Sequence, residues 1–285
     1  MNSIQVAATV ILYNPEDDVY ENINSYGKDV ATLIVVDNST ARNTKLIEKM
    51  HNSFENLVYI NNNANLGIAT ALNLGCEKAM ELGFEWILTM DQDSSFFDIN
   101  GFLQCALPIM NNEIAILTPN HSHIQKTNST NCFYEEKEIV ITSGNLVNLS
   151  IYSIVNGYAD DFFIDMVDYD YCLKVKRLKY KILLFPNQYI LHSLGTIYKR
   201  KNLLTQKLKE KIEHPPLRVY YKTRNTLYLA KHYNKISLLK TLNILFIHEV
   251  IKILLYENRK IKKLYAKSLA LKDFFFNKKG ARNDI

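Results

Sequence analysis

Phe84-Glu85-Trp86-Ile87-Leu88-Thr89-Met90-Asp91-Gln92-Asp93 is the stretch that decides how this 285-residue chain folds. A short apolar, β-prone run opens after Gly83 and stops abruptly at two carboxylates spaced i and i+2. A buried strand that ends this way sets its acids at the carboxyl edge of a sheet, where open α/β folds bind ligands. Two carboxylates so placed can share a hard cation, which can in turn hold a diphosphate. A solvated loop also produces Asp-x-Asp, so the flanking sequence has to decide between the two.

The same pattern recurs upstream. Val6 to Leu12 reads as a buried strand stopped by Asn14-Pro15, Thr32 to Val36 ends at Asp37-Asn38-Ser39, and Leu57 to Ile60 ends at Asn61-Asn62-Asn63. Ile68 to Leu82 has helical spacing closed by Gly83. Short apolar strands alternating with helices predict an α/β fold with a mostly parallel central sheet and helices on both faces. Three strands ending in polar residues (Asp37, Asn61, Asp91) predict a polar crevice along one sheet edge. Downstream, Gly101 to Met110 reads as a helix, Glu113 to Thr118 as a strand, and His121 to Glu138 as a polar, loop-rich insertion with solvated His121 and His123. Ile139 to Thr142 reads as a strand running into Ser143-Gly144, and Tyr180 to Phe185 as a late strand before His192-Ser193-Leu194-Gly195. Val167 to Lys174 has the acids of a helix start, Asp168 and Asp170, where they suit the positive end of the helix dipole.

With 47% hydrophobic and 22% charged residues the chain is globular rather than disordered. Its four cysteines are scattered without a C-x-x-C pair, which argues against a zinc site or a disulfide scaffold and fits a reducing compartment. The N-terminal residues lack a basic segment followed by an apolar one, so no signal peptide is expected, and no apolar run is long enough to span a bilayer. The net charge of +5 conceals a split. Residues 1–198 carry 12 Lys+Arg against 23 Asp+Glu, a net of −11, while residues 199–285 carry 22 against 6, a net of +16. Such asymmetry suggests an acidic body and a basic extension that meets something anionic.

In order, Val10-Ile11-Leu12-Tyr13-Asn14-Pro15, Val35-Val36-Asp37-Asn38-Ser39, Asn65-Leu66-Gly67-Ile68-Ala69, Ala71-Leu72-Asn73, Asp91-Gln92-Asp93-Ser94, Thr142-Ser143-Gly144, Phe163-Ile164-Asp165 through Asp168-Tyr169-Asp170 to Cys172-Leu173-Lys174, and His192-Ser193-Leu194-Gly195 form a series. His214-Pro215-Pro216-Leu217-Arg218-Val219-Tyr220-Tyr221 with Arg224-Asn225 follows. Together these motifs, over roughly residues 4–235, resemble the inverting family-two glycosyltransferases of the GT-A fold, and more closely their bacterial rhamnosyltransferase-like branch.

The resemblance implies a GT-A domain over residues 1–200 and a basic, aromatic-rich helical region over 201–285. It implies that Asp37 accepts a hydrogen bond from a uracil or thymine imide, although an Asp before Asn-Ser also serves as a turn former. Asn65 and Gly67 would border the nucleoside, with Asn65 equally suited to cap a helix, and Tyr13, Gln92, Ser143 and Gly144 would line the donor site. Asp91 would face the ribose or the metal, and Asp93 would ligate Mg²⁺ or Mn²⁺, with His192 either a further metal contact or a structural hydrogen-bonder. Asp168 would be the general base that takes the acceptor's proton, although the family usually has Glu-Asp where this chain has Val167-Asp168. Arg224 would reach the departing diphosphate or serve in packing.

From Ser237 onward, Leu238, Leu239, Leu242, Leu245, Phe246, Val250, Ile253 and Leu254 recur at helical spacing, interleaved with or followed by Lys252, Arg259, Lys260, Lys262, Lys263 and Lys267. That pattern reads as an interfacial amphipathic helix on an anionic membrane surface, or as a helix packed on the core or on a second subunit of a homo-oligomer. The expectation is therefore a metal-dependent enzyme, cytoplasmic and peripheral on the inner membrane face. It would move a sugar from a dTDP- or UDP-linked donor, dTDP-rhamnose first and a UDP-hexose second, to a lipid-linked or glycan acceptor. A non-catalytic binding protein for nucleotide sugars or nucleic acid is the reading from another class; nucleic acid is disfavoured because no motif for it accompanies the basic charge.

Overall fold

The computed structural model describes residues 5–124, 126–192, 197–201, 208–233 and 237–282. The chain forms two compact units, Met1–Ala159 with Asp168–Ser193, and Asp160–Val167 with Leu194–Ile285.

The first unit runs β1 (Ala7–Leu12), α1 (Val19–Asn24), β2 (Thr32–Asp37), α2 (Thr44–Ser53), β3 (Leu57–Asn61), α3 (Ile68–Glu81), β4 (Trp86–Asp91), β5 (Ser94–Phe96), α4 (Ile99–Ala106), β6 (Ile114–Ser122), β7 (Glu135–Glu136), β8 (Asn145–Asn148), α5 (Leu149–Ile154), α6 (Val167–Arg177) and β9 (Lys181–His192). The strands make one sheet in the order β3-β2-β1-β4-β8-β6-β9-β5, with β7 also paired to β9. β1 pairs in parallel with β2 and β4, and β2 with β3. These strands are near-continuous apolar runs because helices cover both faces, and every residue of β1 is buried. β8 enters antiparallel between β4 and β6, so β4, β6 and β9 all point the same way and end on one edge.

Several boundaries differ from the sequence reading. Ile139–Thr142 is not a strand; the chain turns at Ser143-Gly144 and β8 begins at Asn145. β6 does not stop at Thr118 but carries through Pro119 to Ser122, with its register to β9 shifted between Pro119 and Asn120. A proline inside an apolar run reads as a stop, whereas here it sits at the irregularity where its missing N–H is tolerated. β9 likewise extends to His192, so this histidine lies on the strand rather than after it. Ser193, Leu194 and Gly195 of the same motif lie outside the described residues. Cys105 and Cys132 form a disulfide across a sequence separation of 27, which corrects the expectation of unpaired cysteines and removes its support for a reducing compartment. Sequence spacing could not show it because a loop has to fold back onto α4 to bring the two together.

α3 is set against the sheet at close range. It starts at Gly67 (φ 87°, ψ 163°), a conformation natural only to glycine, and the Gly67 N–H is held by Asn65 Oδ1 at 3.0 Å. Asn65 therefore makes a turn before the helix, and Gly67 is the cap. At the middle of α3, Gly75 lies over β1 so tightly that a Cβ there would come 2.2 Å from Thr9 Oγ1. Gly75→Ala should lower the stability of the protein by about 1–3 kcal/mol, the usual cost of overpacking, measured as a drop in the urea midpoint at unchanged slope. An unchanged midpoint would mean that α3 does not approach β1 this closely.

The second unit holds β10 (Ile197–Lys201) paired antiparallel with β11 (Leu208–Ile212), then α7 (Pro216–His232), α8 (Leu238–Asn243), a π-helical turn Ile244–His248, α9 (Glu249–Tyr256) and α10 (Lys260–Phe275). Tyr220 and Tyr221 of α7 pack with Phe163 and with Ala266, Leu269 and Ala270 of α10. Lys263 and Lys267 are 1% and 2% exposed and cannot face lipid as expected. Lys263 Nζ lies 2.7 Å from Glu213 and 2.8 Å from Glu257, and Lys267 Nζ lies 2.6 Å from Glu249. Burial pushes the Lys267 ammonium below its ordinary pKa against the pull of Glu249. Among the described residues no helix is long and apolar enough to cross a membrane.

Candidate active site

Asp91 ends β4, Asp93 follows two residues later, and His192 ends β9. Donor atoms of the three lie within 4.8 Å of one another. They meet because the chain leaving β4 crosses the edge and forms β5, which pairs antiparallel with β9 in the register Ser94↔His192. His192 Nδ1 is 2.7 Å from Ser94 Oγ and 3.5 Å from Asp93 Oδ1. Two carboxylates and an imidazole fit a divalent cation such as Mg²⁺ or Mn²⁺, carboxylate oxygens supplying the hard donors. A cation bound there would supply Lewis-acid neutralisation of a diphosphate's charge.

A second set of contacts holds Asp91 itself. β4 loses its β8 partner after Thr89, so the Asp91 N–H has no ladder bond on that side and donates to Ser143 Oγ at 3.1 Å. Thr89 Oγ1 donates to Thr142 O at 2.8 Å, and Gly144 N–H to Thr89 O at 2.8 Å. Gly144 has φ 84°, and a Cβ there would meet Ile190 Cδ1 at 2.9 Å, so the turn needs glycine twice over. His121, expected in solvent, is instead half-buried on β6 and lies 2.7 Å from Ser143 O through Nε2. Burial pushes its pKa down to about 4, the hydrogen bond to Ser143 opposing and His192 and His123 adding to the fall. It is therefore a neutral Nε2–H donor at neutral pH. Its ring meets that of His192 edge to face, 5.8 Å between centroids at 85°. His123 is exposed, as expected, with Nδ1 3.0 Å from His192 O.

The parallel half of the sheet contributes the adjoining turns. Gln92 clasps the backbone of Tyr13 from both sides, accepting from its N–H at 2.8 Å and donating to its carbonyl at 3.3 Å. The Tyr13 side chain is left 49% exposed. Asp37 is fully buried, with Oδ1 accepting from Ser39 N–H at 2.9 Å and Oδ2 from Tyr59 Oη at 2.7 Å. In this arrangement it braces the Asp37-Asn38-Ser39 turn and is not open to a base, contrary to the direct contact expected. Asn38, also buried, ties that turn to Gly67 O at 3.0 Å, and Ser39 Oγ accepts from Asn14 N–H at 2.7 Å. Asn14, Ser39 and Asn38 thereby lock the ends of β1 and β2 to the start of α3.

Asp168 lies in the first turn of α6 and is half-buried, its Oδ1 accepting from Tyr169 N–H at 2.9 Å. Asp170 beside it is buried and 3.1 Å from Lys174 Nζ, a helix-internal pair. Arg224 is not placed as a diphosphate contact. It is 1% exposed, and its guanidinium donates to Asn225 Oδ1, Tyr220 Oη, Gly280 O, Asp161 O and Phe162 O within the second unit. Its five N–H groups are engaged in packing an aromatic core. His121, Asn38 and Ser39 are the site-edge residues whose roles the sequence reading missed. No sequence signal marked His121, because Asn120-His121-Ser122 after Pro119 is polar.

Residues 8–145 match the Glycosyl transferase family 2 family model. Over 290 residues the chain is 28% identical to the dTDP-rhamnosyl transferase RfbF of Shigella flexneri, with 91% of each chain covered. Among solved structures it is similar to TarS residues 1–349 of S. aureus (TM-score 0.59, 16% identity, covering 96% of this chain and 81% of that one). It is also similar to the mannosyltransferase PcManGT of Pyrobaculum calidifontis in complex with GDP-Man and Mn²⁺ (TM-score 0.58, 12% identity, covering 94% and 74%). With an Asp-x-Asp at the carboxyl edge of this sheet, the molecule is a nucleotide-sugar glycosyltransferase of the GT-A fold. More narrowly, residues 8–145 are similar to the family-two glycosyltransferases, and the chain over most of its length to a rhamnosyltransferase.

Asp93→Ala should leave the circular dichroism spectrum and the thermal midpoint near those of the parent, because the side chain is 48% exposed. The variant should nevertheless lose measurable Mn²⁺ binding by calorimetry. Parental Mn²⁺ affinity in this variant would remove Asp93 from the ligand set.

Proposed function

We propose that this enzyme transfers rhamnose, with inversion, from dTDP-rhamnose to a hydroxyl of a lipid-linked or cell-surface polysaccharide acceptor. The observation that carries the reading is the convergence of Asp91, Asp93 and His192 at the edge where β4 and β9 end. The choice of donor follows the relative from Shigella flexneri, which is a dTDP-rhamnosyl transferase. A UDP-hexose is the second reading, favoured by a TarS structure solved with UDP-GlcNAc. In this reading the first unit carries the donor chemistry and the second serves the acceptor or the membrane.

Asp91, Asp93 and His192 would hold the divalent cation, which would supply Lewis-acid neutralisation of the diphosphate's charge. Tyr13, the turn braced by Asp37, and Asn65-Gly67 border the nucleoside, with Asp37 acting through that turn. Asp168 takes the proton of the acceptor hydroxyl while that oxygen attacks the anomeric carbon from the face opposite the diphosphate. The bond to the diphosphate oxygen breaks as the new glycosidic bond forms, and dTDP leaves with the electron pair.

Asp168→Asn keeps shape and removes proton acceptance, so kcat should fall by about 10²–10⁴ with donor affinity unchanged. A thermal-shift series with Mn²⁺ measures that affinity, since a ligand bound only by the folded state raises its midpoint. dTDP-rhamnose should give the largest shift; a larger one from a UDP-hexose would move the donor assignment to the second reading. Collapse of donor binding in Asp168→Asn with normal turnover of bound donor would sink the base assignment.

We further propose that the second unit holds the enzyme on the anionic, cytoplasmic face of the membrane. The segment from α8 to α9 is apolar on two faces: Leu245 and Ile253 are buried, while Ile244, Ile247, Ile251, Leu254 and Leu255 are each about half exposed. A helix apolar all round and lying on a surface needs a second apolar environment. Lys252, Arg259, Lys260 and Lys262 are exposed beside it and suit anionic headgroups. The full-length protein should co-sediment with anionic liposomes at low salt, and Ile247→Glu with Ile251→Glu should abolish this while donor binding is retained. Indifference to liposomes, with a dimer that the same substitutions dissociate, would make this face a subunit contact.

A further inference from the structure

The proposed cation site has three donors, and two of them, Asp91 and His192, are held by neighbours. Asp91 donates its backbone N–H to Ser143 Oγ, on the side of β4 where the pairing with β8 has ended at Thr89. His192 has Ser94 Oγ on its Nδ1 side, and on its flank the ring of His121. The Thr142-Ser143-Gly144 turn that presents Ser143 Oγ is secured on its outer side by His121 Nε2, 2.7 Å from Ser143 O. One imidazole thus touches both arms of the site: the turn under Asp91 and the ring of His192.

The fold fixes His121 in that position. β6 lies between β8, which the Ser143 turn feeds, and β9, which carries His192. After Pro119 the β6–β9 register jumps, so that His121 pairs with Ile190 and Ser122 with Leu191. The irregularity carries β6 up to the same level of the edge that His192 occupies, and bulges are the usual device for re-aiming a side chain next to a site. A carbonyl acceptor fixes the His121 proton on Nε2, so its orientation is set by a bond and not only by packing.

We propose that His121 is a positioning residue of the cation site: through the Ser143 carbonyl and the His192 ring it holds Asp91 and His192 in ligating geometry without itself binding the cation. The proposal rests on Asp91, Asp93 and His192 being the ligands. Outer residues that orient metal ligands are typically worth 10–100-fold in metal affinity.

The test is titration of the full-length protein with Mn²⁺ alone at neutral pH, following free Mn²⁺ by electron paramagnetic resonance, with the circular dichroism of each variant recorded in parallel. His121→Phe keeps a ring against His192 and removes the donor; His121→Gln keeps a donor and removes the ring; Ser143→Ala removes the acceptor under Asp91. His121→Phe and Ser143→Ala should each weaken Mn²⁺ binding about 10–100-fold, and His121→Gln should recover part of the loss. If His121→Phe fails to fold, Ser143→Ala and His121→Gln carry the test by the same criterion. Folded variants that bind Mn²⁺ within about twofold of the parent, while Asp93→Ala does not bind, would overturn the role of His121 and leave the ligand set standing. A parent protein that binds no Mn²⁺ would instead overturn the ligand set, and the proposal with it.

Discussion

The pairing of β5 with β9 is the constraint on which the candidate site depends. Ser94 faces His192 in that ladder, and the acids lie one and three residues before Ser94. Without the pairing, Asp91 and Asp93 would be loop acids at the end of one strand and His192 a polar residue at the end of another. The sheet supplies the rest, because β8 enters antiparallel and lets β4, β6 and β9 finish on a common edge. Ligand binding at the carboxyl ends of strands in open α/β sheets follows from the same geometry.

The backbone ahead of the proposed base has its own lock. Phe163, Asp165 and Met166 all have φ near +63°, a region that non-glycine residues occupy at a cost of order 1 kcal/mol each. α7 supports that turn: Asn225 Nδ2 donates to the carbonyls of Phe162, Ile164 and Asp165, all at 2.9 Å. Arg218 closes on the Asp165 carboxylate with two hydrogen bonds, at 2.8 and 2.5 Å. The Arg224-Asn225 pair thus explains itself as support for a strained segment from which the chain runs into α6 and Asp168. Buried ion pairs in the same unit, around Lys263 and Lys267, convert part of the basic charge into internal structure. The density of positive charge read from the sequence overstated what faces outward.

The fold was legible because its strands are apolar blocks with polar ends, and that block pattern identifies β1, β2, β3 and β4 without help from long-range contacts. The acids of the site were legible for the same reason, since Asp91 and Asp93 stop a strand. What remained hidden depends on partners far along the chain. His121 reads as a loop residue until β9 shows that β6 continues past a proline. Asp37 reads as an open acceptor until Tyr59, from a neighbouring strand, closes over it. Arg224 reads as a phosphate ligand until the carbonyls of residues 161, 162 and 280 claim its donors. Cys105 and Cys132 carry no spacing signature, and only the folded loop joins them. Local pattern specifies strands and their ends, while burial of a polar group is decided by whatever packs on it.

The most direct test of this account is the anomalous diffraction of crystals grown with Mn²⁺ and dTDP. The account predicts a single strong peak on the first unit, ligated by Asp93 together with Asp91 or His192 and by oxygens of the diphosphate. A peak elsewhere on the molecule, or a nucleotide bound away from the edge where β4 and β9 end, would contradict it.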